Sequence, residues 1–528
     1  MKRDHFEIDN PKRAERALLV GHATRDVGGA LERSLEELAL LADTAGAKVM
    51  GRLAQRRGAV HPATFIGKGK LDELKAMAEE HDADLVVFDD DLSPAQMRNL
   101  EKALDRKVID RSELILDIFA KRARTRESRL QVELAQLEYT LPRLTGMWKH
   151  LERQAGGIGT RGPGETQLET DRRLVRERIA RLKNELDGVE REREIQRRRR
   201  RREFRAALVG YTNAGKSTLF NALTRSDVFV EDRLFATLDA TTRQMVSPRR
   251  ENALLTDTVG FIRKLPHHLV ASFHSTLVEA IEADLLLHVV DAADPSFREH
   301  ITAVEGVLSD ILVTPRETRL VFNKVDAITD EDLLAALRAE FPGALLVSAK
   351  RGEGLEELRS FVWASASEME RDAARVRARA AERDAGDPVV ELEFDATLAA
   401  PPARVFSALT EATHLARWFS DSAESVTRLG GRLLLEWEAP DPAALPFEGH
   451  WTSIDPVRHC AYEGGHAGYP DGYAGLVEFS LKPEGRGTQL LVRHTLPDRK
   501  DYAPFIARYR GAWPRALERL SSYLTPDL

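Results

Sequence analysis

Between residues 210 and 217 the chain reads Gly210-Tyr211-Thr212-Asn213-Ala214-Gly215-Lys216-Ser217, and no other stretch restricts the fold so strongly. A glycine-rich turn of this spacing cradles phosphates in backbone N–H groups, sends its lysine to the terminal ones and offers its hydroxyl to Mg²⁺. Such a turn belongs where a strand passes into a helix. The flanks supply both: Phe204-Arg205-Ala206-Ala207-Leu208-Val209 is a short apolar strand, and Thr218-Leu219-Phe220-Asn221-Ala222-Leu223 is helical in character. The positive end of that helix then faces the anion.

Two further motifs follow in the order a GTPase requires. Leu254-Leu255-Thr256 reads as a strand ending in Asp257-Thr258-Val259-Gly260. Asp257 is placed to hold Mg²⁺ through water, and Gly260 to approach the γ-phosphate. Asn323-Lys324-Val325-Asp326 then decides the base. A carboxylate only accepts hydrogen bonds, so Asp326 suits guanine, which presents two donors on its Watson–Crick edge, and mismatches adenine. Asn323 bonds the base or ties loops together, and the aliphatic stem of Lys324 lies over the purine. Ser348-Ala349-Lys350, after the strand-like Ala344-Leu345-Leu346-Val347, is expected to finish the pocket through backbone N–H groups. One such motif alone is often only a loop; the ordered set describes hydrolysis of GTP to GDP and phosphate.

The first switch is expected within Leu234-Phe235-Ala236-Thr237-Leu238-Asp239-Ala240-Thr241-Thr242-Arg243. Thr237 is our choice for its Mg²⁺ ligand, with Thr241 and Thr242 as alternatives. Small GTPases commonly orient the attacking water with a Gln just after the glycine of the second switch. Here Phe261 occupies that place. An apolar ring cannot do this work, so intrinsic hydrolysis should be slow and should await a partner or another group. Asn213 resembles the Asn of GTPases that use K⁺ where others insert an arginine finger. K⁺ stimulation is therefore an expectation.

At 528 residues the chain exceeds one ordinary domain, and three or four are expected. Its formal net charge of −7 excludes a uniformly basic nucleic-acid binder, though local basic clusters remain. The single cysteine, Cys460, excludes an internal disulfide or a thiolate-rich metal cluster and fits a reducing, cytoplasmic setting as a buried thiol. Met1-Lys2-Arg3-Asp4-His5-Phe6-Glu7 leads into no apolar core of signal-peptide length, so no export is expected. Apolar runs such as Leu285 to Val290 are too short to span a bilayer and read as buried strands of a parallel sheet.

Along the chain, a multidomain α/β protein emerges. Residues 1–125 alternate strand-like and helical runs, an N-terminal α/β domain. Asp89-Asp90-Asp91 within it reads as a solvated loop or helix cap rather than a metal cluster. Phe65-Ile66-Gly67-Lys68-Gly69-Lys70 is only a weak phosphate signal. Residues 126–203 read as a basic α-helical hairpin arm with a glycine-rich tip. Leu168, Val175, Ile179, Leu182, Leu186 and Val189 form the stripe that packs the second helix on the first. Arg197 to Arg202, and the cluster Lys121, Arg122, Arg124, Arg126 and Arg129, suit RNA backbone contact without base reading. Residues 204–367 form the P-loop GTPase domain with a mostly parallel sheet, and 368–387 a charged linker. Residues 388–528 run strand, helix, several strands and a last long helix, an α+β fold closing a curved sheet around that helix.

Residues 1 to about 367 resemble the HflX family of ribosome-associated GTPases. The resemblance is carried by Pro62 to Lys70, by the tip Gly156-Gly157-Ile158-Gly159-Thr160-Arg161-Gly162-Pro163-Gly164-Glu165-Thr166-Gln167-Leu168-Glu169, by Gly210 to Ser217, by Phe235 to Asp239 and by Asp257 to Phe261. The tip is nearly a family fingerprint. The resemblance implies that Ser217 and Thr237 ligate Mg²⁺, that Phe235 to Asp239 form the nucleotide-responsive switch, and that the large ribosomal subunit and its rRNA are partners. Family members are associated with rescuing or splitting stalled ribosomes, and the arm is the part that reaches into the subunit. A monomer without membrane contact is expected. Pro401 to Thr410, His414 to Phe419 and Gly511 to Leu517 resemble a START-related helix-grip domain of the Hsp90-activator-like kind. Such folds often enclose an apolar cavity, and Trp418, Trp437, Trp451 and Trp513 either line a small-ligand site there or form its core. Competing readings make the protein a nucleotide-gated RNA-binding scaffold, or a ligand-sensing regulator acting through this last domain.

Overall fold

The computed structural model describes residues 14–23, 29–56, 58–144, 163–200, 203–224, 234–235, 238–245, 253–264, 282–311, 316–383, 388–437, 446–465, 468–485 and 487–525. The tip residues 156–162, Ala236, Thr237, Arg201 and Arg202 lie outside the described residues.

The first layer runs β1 (Arg16–Ala23), α1 (Ala30–Ala45), β2 (Lys48–Arg56), α2 (Lys68–Glu80), β3 (Leu85–Phe88), α3 (Pro94–Leu104), β4 (Lys107–Asp110) and α4 (Arg111–Arg122). Its four strands are all parallel, in the order β2-β1-β3-β4. Strands buried on both faces need apolar side chains throughout, as Leu85-Val86-Val87-Phe88 shows. Local signals start the helices: Ser93 and Gln96 close a reciprocal capping box on α3, and Asp110 accepts the Glu113 N–H of α4. The Phe65–Lys70 stretch serves as the entry to α2, with the Gly67 N–H bonded to Gln55 Oε1 at 2.9 Å.

α5 (Arg126–Thr140) and α6 (Pro163–Arg200) form the hairpin. Leu182 is fully buried against Leu130 and Leu134, with Ile179 and Leu186 beside it, so these three residues of the expected stripe lie in the seam. Arg178 clamps Glu133 with two bonds of 2.7 and 2.9 Å.

The second layer contains β5 (Phe204–Gly210), α7 (Lys216–Thr224), β6 (Thr241–Met245), β7 (Ala253–Asp257), β8 (Leu285–Asp291), α8 (Phe297–Ile311), β9 (Glu317–Asn323), α9 (Glu331–Glu340), β10 (Leu345–Leu346) and α10 (Leu355–Arg383). The sheet order is β10-β9-β8-β5-β7-β6, parallel except where β6 pairs with β7. α10 continues through most of the stretch expected to be a linker. The alanines, arginines and glutamates there are strong helix formers, so the closing helix has no reason to stop at 367.

The last domain comprises β11 (Val389–Leu398), α11 (Pro402–Thr410), α12 (Ala412–Trp418), β12 (Ser422–Ser425), β13 (Arg432–Glu436), β14 (Phe447–Asp455), β15 (His459–Gly465), β16 (Gly475–Glu484), β17 (Gly487–Pro497) and α13 (Ala503–Leu524). Its seven strands are antiparallel, in the order β11-β17-β16-β15-β14-β13-β12. α13 buries Trp513, Ala516, Leu517, Leu520 and Leu524 in the core of this domain. Trp418, Trp451 and Trp513 are buried core, each indole N–H being satisfied within the domain by Ala408 O, Ser425 Oγ and His494 Nδ1. Trp437 is half-buried and donates to Phe419 O at 2.8 Å. Trp418, Trp451 and Trp513 belong to the domain core, and Trp437 packs against it. Cys460 is fully buried there, and burial raises its thiol pKa.

Candidate active site

β5 is central in its sheet, so the turn from Gly210 to Ser217 opens at the carboxyl ends of parallel strands, where α/β folds bind ligands. Two glycines make this turn tight: a Cβ on Gly210 would lie 2.2 Å from Val289 O, and Gly215 is as confined. Its φ is +87°, and a Cβ there would lie 2.3 Å from Asn323 Nδ2. Asn213 also adopts a left-handed conformation, φ 61°, with an exposed side chain. Lys216 opens α7 and is buried; its Nζ donates to Tyr211 O at 2.7 Å and Gly210 O at 3.1 Å. Burial lowers its pKa to about 8, opposed by the nearby charge of Asp257.

Ser217 Oγ donates to Asp257 Oδ2 at 2.6 Å, and Asp257 is fully buried at the end of β7. A hydroxyl beside a buried carboxylate fits Mg²⁺, which takes hard oxygen ligands and keeps several waters. Among the described residues no group of three or more His, Cys, Asp or Glu forms an all-protein cage. Of the alternatives to Thr237, Thr241 lies opposite Asp257 in the β6–β7 ladder and Thr242 Oγ1 is 2.9 Å from Thr256 Oγ1.

The second switch leaves β7 pressed against the phosphate loop. Thr258 Oγ1 donates to Leu208 O at 2.6 Å, and Val259 is buried. A Cβ on Gly260 would come within 2.8 Å of Thr212 Cα and 3.0 Å of Lys216 Nζ. Phe261 donates its N–H to Gly210 O at 3.0 Å and accepts the Thr212 N–H at 2.7 Å. Its ring is 2% exposed, in a core shared with Tyr211 and Ile262. Phe261 is thus a backbone anchor and presents no polar group to a water.

At the base-binding end, Asn323 ties loops together: Nδ2 donates to Ala214 O at 3.0 Å and Oδ1 accepts the Ala349 N–H at 3.1 Å. Asp326 Oδ1 accepts from Ser348 Oγ at 2.6 Å, which holds its carboxyl below the usual range, and Oδ2 is 3.9 Å from Arg351 Nε. Lys324 Nζ lies 2.7 Å from Asp291 Oδ2, and the Val325 N–H reaches Val347 O. The backbone N–H groups of Ser348 and Ala349, expected to meet the base, are instead engaged by Glu353 O and Asn323 Oδ1. These loops need their own support, and Ser348 contributes its hydroxyl. Lys350 is exposed.

A GTPase HflX of Flavobacterium psychrophilum is 48% identical over 377 residues, covering 67% of this chain and 91% of that protein. The chain belongs to the HflX GTPase family. A GTPase HflX of Caldanaerobacter subterraneus is 52% identical over 348 residues, covering 65% of this chain and 79% of its own length. Family descriptions match in succession: "GTP-binding GTPase N-terminal" over 32–120, "GTP-binding GTPase Middle Region" over 122–200 and "50S ribosome-binding GTPase" over 205–324. Residues 399–525 match "Activator of Hsp90 ATPase homolog 1-like protein". A crystal structure of a GTP-binding protein from the archaeon Sulfolobus solfataricus in complex with GDP aligns over 67% of this chain and 99% of that one, at TM-score 0.36 and 24% identity. This HflX-family enzyme hydrolyses GTP. Among the described residues no helix is long and apolar enough to cross a membrane.

Other expected nucleotide contacts face elsewhere. Phe235 (φ 55°) is 2% exposed and meets Phe119 of α4 edge-on, centroids 4.7 Å apart. Leu238 is buried in the same core. Asp239 accepts the Arg124 and Thr125 N–H groups at 3.2 Å and Thr125 Oγ1 at 2.6 Å, at the foot of α5. The apolar side chains are better satisfied in that core, and the carboxylate at the amino end of α5, than against phosphate. The run Asp89-Asp90-Asp91 is solvated only at Asp91. Asp89 is fully buried, bonded to Ser34, Arg111 and Lys264, while Asp90 pairs with Lys264 and Asp91 with Ser112. Its position just after a wholly apolar strand was the one sequence signal of a buried role.

Proposed function

We propose that this HflX-family GTPase binds GTP over Gly210–Ser217 and docks on the large ribosomal subunit in its GTP state, leaving after hydrolysis. It then acts in ribosome rescue, biogenesis or translation control in the cytoplasm. Lys216 stabilises phosphate charge, Ser217 and Thr237 hold Mg²⁺, Asp257 supports that ion through water, Gly260 senses the γ-phosphate, and Asp326 selects guanine with Asn323 holding the loops. When bound, Mg²⁺ would neutralise charge on the transferring phosphoryl group. Asn213, exposed at the rim of the loop, is proposed to recruit K⁺.

The observation that carries the site is the buried Lys216 beside the 2.6 Å Ser217–Asp257 bond. For the ribosome, support comes from the hairpin: exposed Arg126, Arg129, Arg173 and Arg181 line α5 and α6, and Arg197 to Arg200 close α6. Such a surface suits an RNA backbone. The working units are residues 1–125, 126–203, 204–367 and 388–528.

Phosphate release is measured in KCl with and without large ribosomal subunits. Strong stimulation supports the reading, the subunit supplying what Phe261 does not. Unstimulated turnover with binding intact would replace it by a nucleotide-gated scaffold.

A further inference from the structure

We propose that Tyr211 is a positioning residue for GTP hydrolysis: its phenol holds the backbone carrying Gly260 and Phe261 in register with the phosphate loop, and Glu37 of α1 holds the phenol. The proposal rests on reading Gly210–Ser217 as the phosphate site. Tyr211 is 7% exposed and joins four elements through one side chain. Its O–H donates to Glu37 Oε1 at 2.7 Å, and its oxygen accepts the Arg263 N–H at 2.7 Å. The ring stacks on His300 of α8, centroids 3.9 Å apart and planes 11° apart.

Glu37 is anchored in turn. Arg111, 2% exposed, pairs with Glu37 at 3.1 Å and with Asp89 at 2.7 Å. Asp89 receives Lys264 Nζ at 2.6 Å, and Asp90 receives the same ammonium at 2.6 Å. Lys264 adjoins Arg263, so the path returns to its start. One network grips two consecutive residues of the segment that leaves the second switch. Lys264 itself sits at φ 52°, a left-handed conformation that costs on the order of 1 kcal/mol and persists only where surroundings enforce it.

This matters because Phe261 contributes only backbone here. With no side chain to orient water, hydrolysis depends on where the Gly260–Phe261 backbone lies, and a displacement of ~1 Å can cost about a hundredfold in rate. Two anchors are the Phe261 bonds to Gly210 and Thr212; the phenol is the third.

The test is Tyr211→Phe in the full chain, which keeps the ring and its stacking. The expected result is a fall in kcat of roughly three- to tenfold, the worth of one hydrogen bond. KM for GTP and mant-GDP affinity stay within about twofold. Amide hydrogen exchange at Arg263 accelerates at least about tenfold, which a loss of stability alone would not confine to that residue. Unchanged kcat, a rise in kcat, or a fall matched by lost GDP affinity would each overturn the role. Lys216→Ala, run alongside, reads the phosphate-site assignment itself: hydrolysis surviving there overturns that assignment, whereas loss there with Tyr211→Phe at wild-type rate overturns only the role of Tyr211.

Discussion

Raising the pH from about 7 to about 9 should weaken GDP binding close to tenfold, through Lys216. Burial lowers this ammonium from 10.5 to about 8. Nucleotide phosphates recruit the charged form, so the free protein must be protonated at Lys216 to bind. With a pKa near 8 the charged fraction is about 0.9 at pH 7, 0.5 at pH 8 and 0.1 at pH 9. Above pH 8 binding therefore takes up one proton, and affinity falls with a slope near one decade per pH unit. The sign for stability is opposite. Between about pH 8 and 10.5 the unfolded chain keeps a proton that the folded, nucleotide-free protein has lost, so folding is favoured as pH rises through that window. The assay is mant-GDP titration at pH 7, 8 and 9 at constant ionic strength, with calorimetry in two buffers at pH 8.5 to count protons. Guanine has its own titration, which Lys216→Ala retains and so corrects for. Parallel profiles for wild type and variant, with no proton uptake, would refute the reasoning and show that the lysine stays charged.

Asp326→Asn should lower GDP affinity about ten- to a hundredfold, since hydrogen bonds to charged groups are worth about 1.5–3 kcal/mol, and should narrow the preference over ADP in competition against mant-GDP. Gly215→Ala forces a side chain onto a φ of +87° and against Asn323 Nδ2, so the same assay should show at least about a tenfold loss. Trp451→Ala, at a fully buried site, should destabilise the last domain by about 3–5 kcal/mol in thermal unfolding while GDP binding is retained. Hydrolysis should run several-fold faster in KCl than in NaCl if Asn213 recruits K⁺, and equal rates would dispose of that role.

The local part of the site was legible because its chemistry lies in contiguous residues. A turn such as Gly210–Ser217 must sit between a strand and a helix, and both flanks carried the required patterns. The seam of the hairpin was legible from the spacing of Ile179, Leu182 and Leu186. What escaped was long-range. Nothing in the residues around Tyr211 announces Glu37, which is 174 positions away, and three adjacent aspartates look solvated until Arg111 and Lys264 arrive from other elements. Asn323 left two roles open because both use the same amide; the approach of Ala214 and Ala349 decided for loop tying. The helical state of 368–383 was not legible because charge and alanine suit an irregular linker as well as a helix.

Asp239 gives the hairpin a fulcrum. Its carboxylate seats the amino end of α5, and α5 is riveted along α6, whose 38 residues extend ~57 Å. The foot lies beside Glu185, so the Pro163 end is ~33 Å away, and a tilt of about 5° there sweeps that end through roughly 3 Å, two residues' rise along a helix. If the 234–239 segment shifts with the nucleotide, a displacement too small to disturb the sheet is magnified at the distal end of the arm.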